Sequence, residues 1–84
     1  ALTRREDGSW LVDGHYPLHE LLVRLGQPGL ARDVEADTIG GLFLYQTGRI
    51  PVTGEKLRWM IFDLEVVDMD GVRIDKLLVS PVKD

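Results

Sequence analysis

His15, His19 and Glu20 lie close together in the chain, and imidazole combined with carboxylate suits zinc and related ions. His15 precedes Pro17 and so falls outside the helix that follows, which breaks the i, i+4 placement that would put both imidazoles on one face. Surface histidines are therefore favoured over a metal site, which needs three ligands in fixed geometry. Asp68-Met69-Asp70-Gly71 has the look of a calcium loop. Setting Gly71 at the loop's fixed glycine puts Val66 at the first ligand position and Leu77 at the last, and neither offers an oxygen. A hairpin turn is the better reading.

Gly40-Gly41 at a helix start invites a phosphate cradle, since free amides there attract anions. Neither GxGxxG nor the Lys-Ser/Thr of a P-loop accompanies it, so close helix packing is preferred. Ser9, Ser80 and the histidines form no recognisable nucleophile and base set. Asp63, Glu65 and Asp68 fit the solvated face of a strand better than a general acid/base pair. No enzyme activity is expected. Arg49, next to a helix C-terminus, either complements the macrodipole or offers its fork to a partner's carboxylate, and the first role is favoured.

The elements that position these residues belong to one domain, because 84 residues leave room for a single modest core. The residues are 44% hydrophobic and 29% charged, as in ordinary soluble domains. There is no cysteine, which removes disulfides and thiolate sites and weakly favours the cytosol. The net charge is −4 and the basic residues are scattered, so nucleic acid is not an expected partner. No apolar run is long enough to span a bilayer, and the start lacks a signal peptide's charged and apolar regions. The missing initiator Met suggests a fragment of a longer protein.

The chain opens with two short extended runs, Leu2 to Glu6 and Ser9 to Gly14, around an Asp7-Gly8 turn. Pro17 suits the first turn of a helix. Leu18, Leu21, Leu22 and Leu25 at i, i+3, i+4 and i+7 then place an apolar stripe on it, and Gly26 closes it. Gln27 to Ala36 is expected to be a loop containing an extended piece. Asp37 or Thr38 caps a second helix from Ile39 to Thr47, ended by Gly48. That helix is apolar almost all round and should be covered on most sides. Its glycine pair is tolerable only where another backbone comes close.

A long strand from Ile61 to Met69, a turn at Asp70-Gly71 and a return strand from Val72 to Ser80 form the clearest hairpin. A two-residue turn sets Asp68 opposite Arg73, Glu65 opposite Lys76, Leu64 opposite Leu77 and Phe62 opposite Val79. The apolar phase slips along both strands, which a β-bulge near Val66 or Asp75 explains. Met60, Ile61, Val67, Met69 and Val72 are out of phase with the face holding Phe62, Leu64, Leu77 and Val79, so one group needs a second cover. The fold class is α+β: a small antiparallel or mixed sheet with two helices on one face. The candidate interaction residues are Arg49, Met69 and Val72.

In order, Trp10-Leu11-Val12-Asp13-Gly14, Thr38-Ile39-Gly40-Gly41-Leu42, Gly48-Arg49-Ile50-Pro51 and Asp70-Gly71-Val72-Arg73-Ile74 resemble the CorC/HlyC transporter-associated domain over nearly the whole of residues 1–84. The resemblance implies a compact cytosolic domain of proteins related to magnesium and cobalt efflux, placed after a membrane domain and a pair of CBS domains. Those two, or a second copy of the chain, are the implied partners. It also implies likeness in fold to a subdomain of PCMH-type flavoproteins, from which comes the rival reading, an FAD or adenine-nucleotide module. No catalytic residue carries over, because transport residues belong to the membrane portion and nucleotides to the CBS pair. Two departures stand out. Tyr16 occupies a position where the family often has a Ser or Thr cap. The link from Lys56 to Phe62 is shorter than usual, which argues against a regular third strand.

Overall fold

The computed structural model describes residues 2–83. Its elements are β1 (Leu2–Arg4), β2 (Trp10–Asp13), α1 (Leu18–Arg24), a 3-10 turn (Pro28–Ala31), α2 (Ile39–Thr47), β3 (Lys56–Trp59), β4 (Phe62–Asp70) and β5 (Arg73–Pro81). The strands lie in the order β1-β2-β5-β4-β3, and every neighbouring pair is antiparallel. The last strand is thus the central one. It joins the N-terminal hairpin to β3 and β4 through Val12↔Leu77 and Trp10↔Val79 on one side and Val66↔Leu77 and Leu64↔Val79 on the other. Directly opposed residues share a face, so Val12, Leu64, Val66, Leu77 and Val79 line one side of the sheet. There they are buried in one core with Leu18, Leu21 and Leu22 of α1 and Ile39, Leu42 and Phe43 of α2. Both helices therefore cover the same face.

The β4–β5 register differs from the expected one. The turn is Gly71-Val72, with Asp70 opposite Arg73, and not Asp70-Gly71. Consequently Leu64 faces Val79 instead of Leu77, and Asp68 faces Lys76 instead of Arg73. Gly71 takes a left-handed φ of 61°, which its missing side chain makes inexpensive at the first turn position. Irregularities fall between Val66 and Asp68 and between Asp68 and Met69. The first leaves Val67 without a partner and the second leaves Asp75 without one, so both suspected positions carry a bulge. The two compensate. They turn Asp68 and Lys76 outward and return Met69 and Ile74, which face each other, to the core side.

A regular third strand is present despite the short link. Lys56↔Glu65 through Trp59↔Phe62 pair in register, and Met60-Ile61 form the whole turn. Among the described residues Met60 is the one non-glycine residue with positive φ, at 54°.

Pro17 stands one place earlier than expected. It is the extended N-cap residue of α1, with ψ of 127°, and bridges to Thr38. After Leu25, Gly26 at φ 77° donates its N–H to Val23 O, and Gln27 N–H reaches Leu22 O at 2.7 Å, the paired bonds of a Schellman ending. The next segment contains a 3-10 turn with Pro28 at its first position and no strand; proline's fixed φ and missing N–H suit that position. Thr38 Oγ1 accepts from Gly41 N–H at 3.0 Å to cap α2, and Gly48 ends it at φ 70°.

Candidate interaction surface

His15, His19 and Glu20 are all exposed and are not brought together. His15 borders a depression with Gly14, Thr38, Leu44 and Arg73, whereas His19 borders another with Pro28, Ala31 and Arg32. Among the described residues no three His, Asp or Glu side chains are grouped to hold a metal ion. The amides of the glycine pair are already occupied. Gly41 N–H is used by the cap, and Gly40 N–H donates to Gly14 O at 2.8 Å. Ser9 is buried and bonded through both its amide and its hydroxyl to Asp7 Oδ1. Those two bonds, the side-chain one first, hold the Asp7 carboxyl below its ordinary range. They serve the β1–β2 turn.

Asp63, Glu65 and Ser80 lie on the sheet face away from the helices. Arg58 Nε donates to Asp63 Oδ1 at 2.9 Å across β3 and β4, and Lys76 Nζ to Asp13 Oδ1 at 3.1 Å across β2 and β5. Between these pairs sit Leu11 and Leu78, directly opposed and half-buried. The charges on this face largely satisfy one another, so it carries no concentrated field for a ligand.

Arg49 is exposed, but its fork is filled. Nη1 and Nη2 donate to Glu55 Oε1 at 2.9 Å and Oε2 at 2.6 Å, and Val52 N–H donates to Glu55 Oε1 at 3.2 Å. The Arg49 hydrogen bond is the main cause that keeps the Glu55 carboxyl below its ordinary range, with burial acting against it. Arg49 thus closes the loop from Gly48 to Glu55. Glu55 was missed as its partner. The signal was the Thr53-Gly54 turn, which sends the chain back: Gly54 N–H bonds Val66 O, and Val66 N–H bonds Glu55 O at 2.9 Å.

Of the apolar candidates, Met69 packs partly buried against the core, and Val72 stands 62% exposed at the turn. Met60, Ile61 and Val67, of the same out-of-phase group, are exposed as expected. Other uncovered apolar side chains went unnoticed: Tyr45 is 63% exposed, and Ile50 and Val52 are exposed as well. Contrary to expectation, α2 is covered on one side only, through Ile39, Gly40, Leu42 and Phe43. The near-continuous apolar run of α2 concealed which side would be left open.

A profile described as the transporter associated domain CorC_HlyC matches residues 3–83. The chain belongs to the CorC/HlyC transporter-associated domain family. A CorC_HlyC domain from a Xylella fastidiosa hemolysin, solved in complex with Mg++ and Mn++, shares 40% identity at a TM-score of 0.84, with 98% of each chain covered. A UPF0053 protein of Synechocystis is 38% identical over 99% of this chain but only 19% of its own length. A polyamine export protein of Escherichia coli is 31% identical over 96% of this chain and 18% of its own. The CorC/HlyC domain thus spans about a fifth of these longer relatives. Among the described residues no helix is long and apolar enough to cross a membrane.

Proposed function

We propose that this domain is a regulatory accessory module on the cytosolic side of a CorC/HlyC-type cation export protein, acting by contact with the CBS pair and the membrane portion. The observation that carries the reading is the combination of family membership with uncovered apolar surface. Tyr45, Ile50, Val52, Met60 and Val72 are each more than half exposed, and a domain that fills a fifth of its relatives has neighbours to cover them. The relatives' names, a polyamine export protein and a putative Mg2+ and Co2+ transporter associated region, have a cation in common. A further relative is a domain of a CBS domain protein, in keeping with the contact proposed.

The test is cation export from cells or vesicles by the full-length parent and by a version lacking this segment, with membrane insertion of both verified. Deletion is expected to change the rate or the cation dependence of export. Equal export by two well-inserted proteins would overturn the reading, and visible flavin absorbance in the purified chain would replace it with cofactor binding.

A further inference from the structure

Asp-Gly occurs three times, at Asp7-Gly8, Asp13-Gly14 and Asp70-Gly71. The pair is open to cyclisation of the carboxyl onto the next residue's amide, because glycine has no side chain to obstruct the attack. The fold gives the three pairs different freedom. Asp7 is clamped: its Oδ1 accepts from both the amide and the hydroxyl of Ser9, and Gly8 N–H donates to Arg5 O at 3.1 Å. The same two bonds, the hydroxyl's first, favour the ionised carboxyl, whereas loss of its hydroxyl needs the protonated one. Asp13 is walled in. Lys76 Nζ donates to it at 3.1 Å, and Gly14 is buried with its N–H donating to Asp75 O at 2.7 Å. The Ile74 backbone closes the remaining space, 1.9 Å from where a Cβ on Gly14 would stand.

Asp70-Gly71 has neither restraint. Asp70, Gly71 and Val72 are all exposed. Among the described residues no hydrogen bond or ion pair holds the Asp70 carboxyl, and Gly71 N–H donates to no carbonyl. Nothing lies within 4 Å of where a Cβ on Gly71 would stand. The pair sits at a two-residue turn ending β4, where backbone opens locally without unfolding the core. We propose that Asp70 is the site of spontaneous isoaspartate formation in this domain. Gly71 N bonds to Asp70 Cγ, the carboxyl hydroxyl and the amide proton leave as water, and a succinimide ring results. Water then opens the ring at either carbonyl. Attack at Cγ restores Asp70, and attack at the main-chain carbonyl leaves the chain running through Cγ. The product keeps the parent's mass but has one more main-chain carbon in the turn, which breaks the Asp70↔Arg73 pairing beside the exposed Val72. Its new α-carboxylate is an acceptor for the class of methyltransferase that esterifies isoaspartyl groups with S-adenosylmethionine.

The experiment ages the purified chain at mildly acid pH, folded in buffer and, in parallel, unfolded in guanidinium chloride. The purified chain is a sound sample, because related domains were solved as chains of which 98% is this domain. Trypsin leaves Asp70 in peptide 59–73 and both Asp7 and Asp13 in peptide 6–24. Isoaspartyl forms are separated by chromatography, located by electron-transfer fragmentation and counted by enzymatic methyl transfer. In the folded chain the isoaspartyl form of peptide 59–73 is expected to accumulate several-fold faster than that of peptide 6–24. Unfolding should bring the two rates together, because the restraints on Asp7 and Asp13 are then gone. Asp70→Glu keeps the charge at an exposed position and should abolish the signal in peptide 59–73, since its carboxyl would have to close a larger ring. A folded chain in which peptide 59–73 does not outpace peptide 6–24 overturns the proposal. So does a ratio that unfolding leaves unchanged, or a signal in peptide 59–73 that survives Asp70→Glu.

Discussion

Gly14 and Gly40 touch backbone to backbone, with Gly40 N–H donating to Gly14 O at 2.8 Å. A Cβ on Gly40 would lie 2.7 Å from that same oxygen, and a Cβ on Gly14 would lie 1.9 Å from Ile74 O. The start of α2, the end of β2 and the central strand β5 are therefore stacked with no space for a methyl group. Gly40→Ala and Gly14→Ala should each destabilise by about 3 kcal/mol or more, because backbone cannot yield as a side chain can. Gly41→Ala meets side-chain atoms alone, the Thr38 hydroxyl at 3.1 Å and the Ala36 Cβ at 3.9 Å, and gains helix propensity. It should cost far less. Urea midpoints of the three variants check the order, and a Gly41 variant as damaged as the Gly40 one would refute this account of the glycine pair.

The core makes a second, independent prediction. Phe43 and Leu22 are nearly or fully buried under the sheet, so Phe43→Ala should cost about 3–5 kcal/mol and Leu22→Ala about 2–5 kcal/mol. Tyr45→Ala, two residues from Phe43 on the same helix, should stay within about 0.5 kcal/mol in the isolated chain. Denaturation that shows a loss under about 1 kcal/mol at either buried site would mean that α1 or α2 is turned differently.

How much of this was legible in the sequence depended on whether the signal was local. The leucine stripe of α1, the Thr38 cap and the Gly48 ending are short-range features and were read directly. The β4–β5 register was not, because Asp70-Gly71 and Gly71-Val72 both allow a two-residue turn, and charge pairing favoured the wrong one. What selects the observed register is tertiary: Leu64↔Val79 and Val66↔Leu77 stack under the helices, and two bulges then absorb the slip. The Arg49–Glu55 closure and the Gly14–Gly40 contact likewise depend on chain reversals that bring distant residues together.

Helix ends give a third prediction. Thr38→Ala removes the oxygen that accepts from Gly41 N–H and should cost about 1 kcal/mol. Gly48→Ala puts a Cβ on a residue at φ 70° and should cost about 1–2 kcal/mol. Thermal unfolding followed by helical circular dichroism reads both. An unchanged midpoint for Gly48→Ala would mean that the strain at this ending relaxes by fraying.

The Arg49–Glu55 pair predicts a pH dependence. The Arg49 hydrogen bond lowers the Glu55 carboxyl in the folded chain, so at acid pH the unfolded chain holds this proton more tightly than the folded one. The pair's contribution is therefore complete above the ordinary carboxyl value of about 4.3 and drains away as pH falls through it toward the lower folded value. Glu55→Gln should flatten the drop in urea midpoint between about pH 6 and about pH 3. The slope that remains belongs to other carboxyls, Asp7 among them. If the variant falls as steeply as the parent, the ion pair is not holding the loop in solution.

Met60 yields the last prediction. It occupies the first position of the β3–β4 turn at φ 54°, a region where an L side chain with a Cβ is disfavoured by about 1–2 kcal/mol, yet its side chain is 58% exposed and recovers little by burial. Met60→Gly relieves the backbone at an entropic cost of about 0.5–1 kcal/mol, and Met60→Asn relieves much of it at less cost. The Asn variant should therefore be as stable as the parent or more stable, by up to about 1 kcal/mol. Loss of more than about 0.5 kcal/mol with Asn would instead show that the methionine side chain packs on Trp59 strongly enough to outweigh its backbone strain.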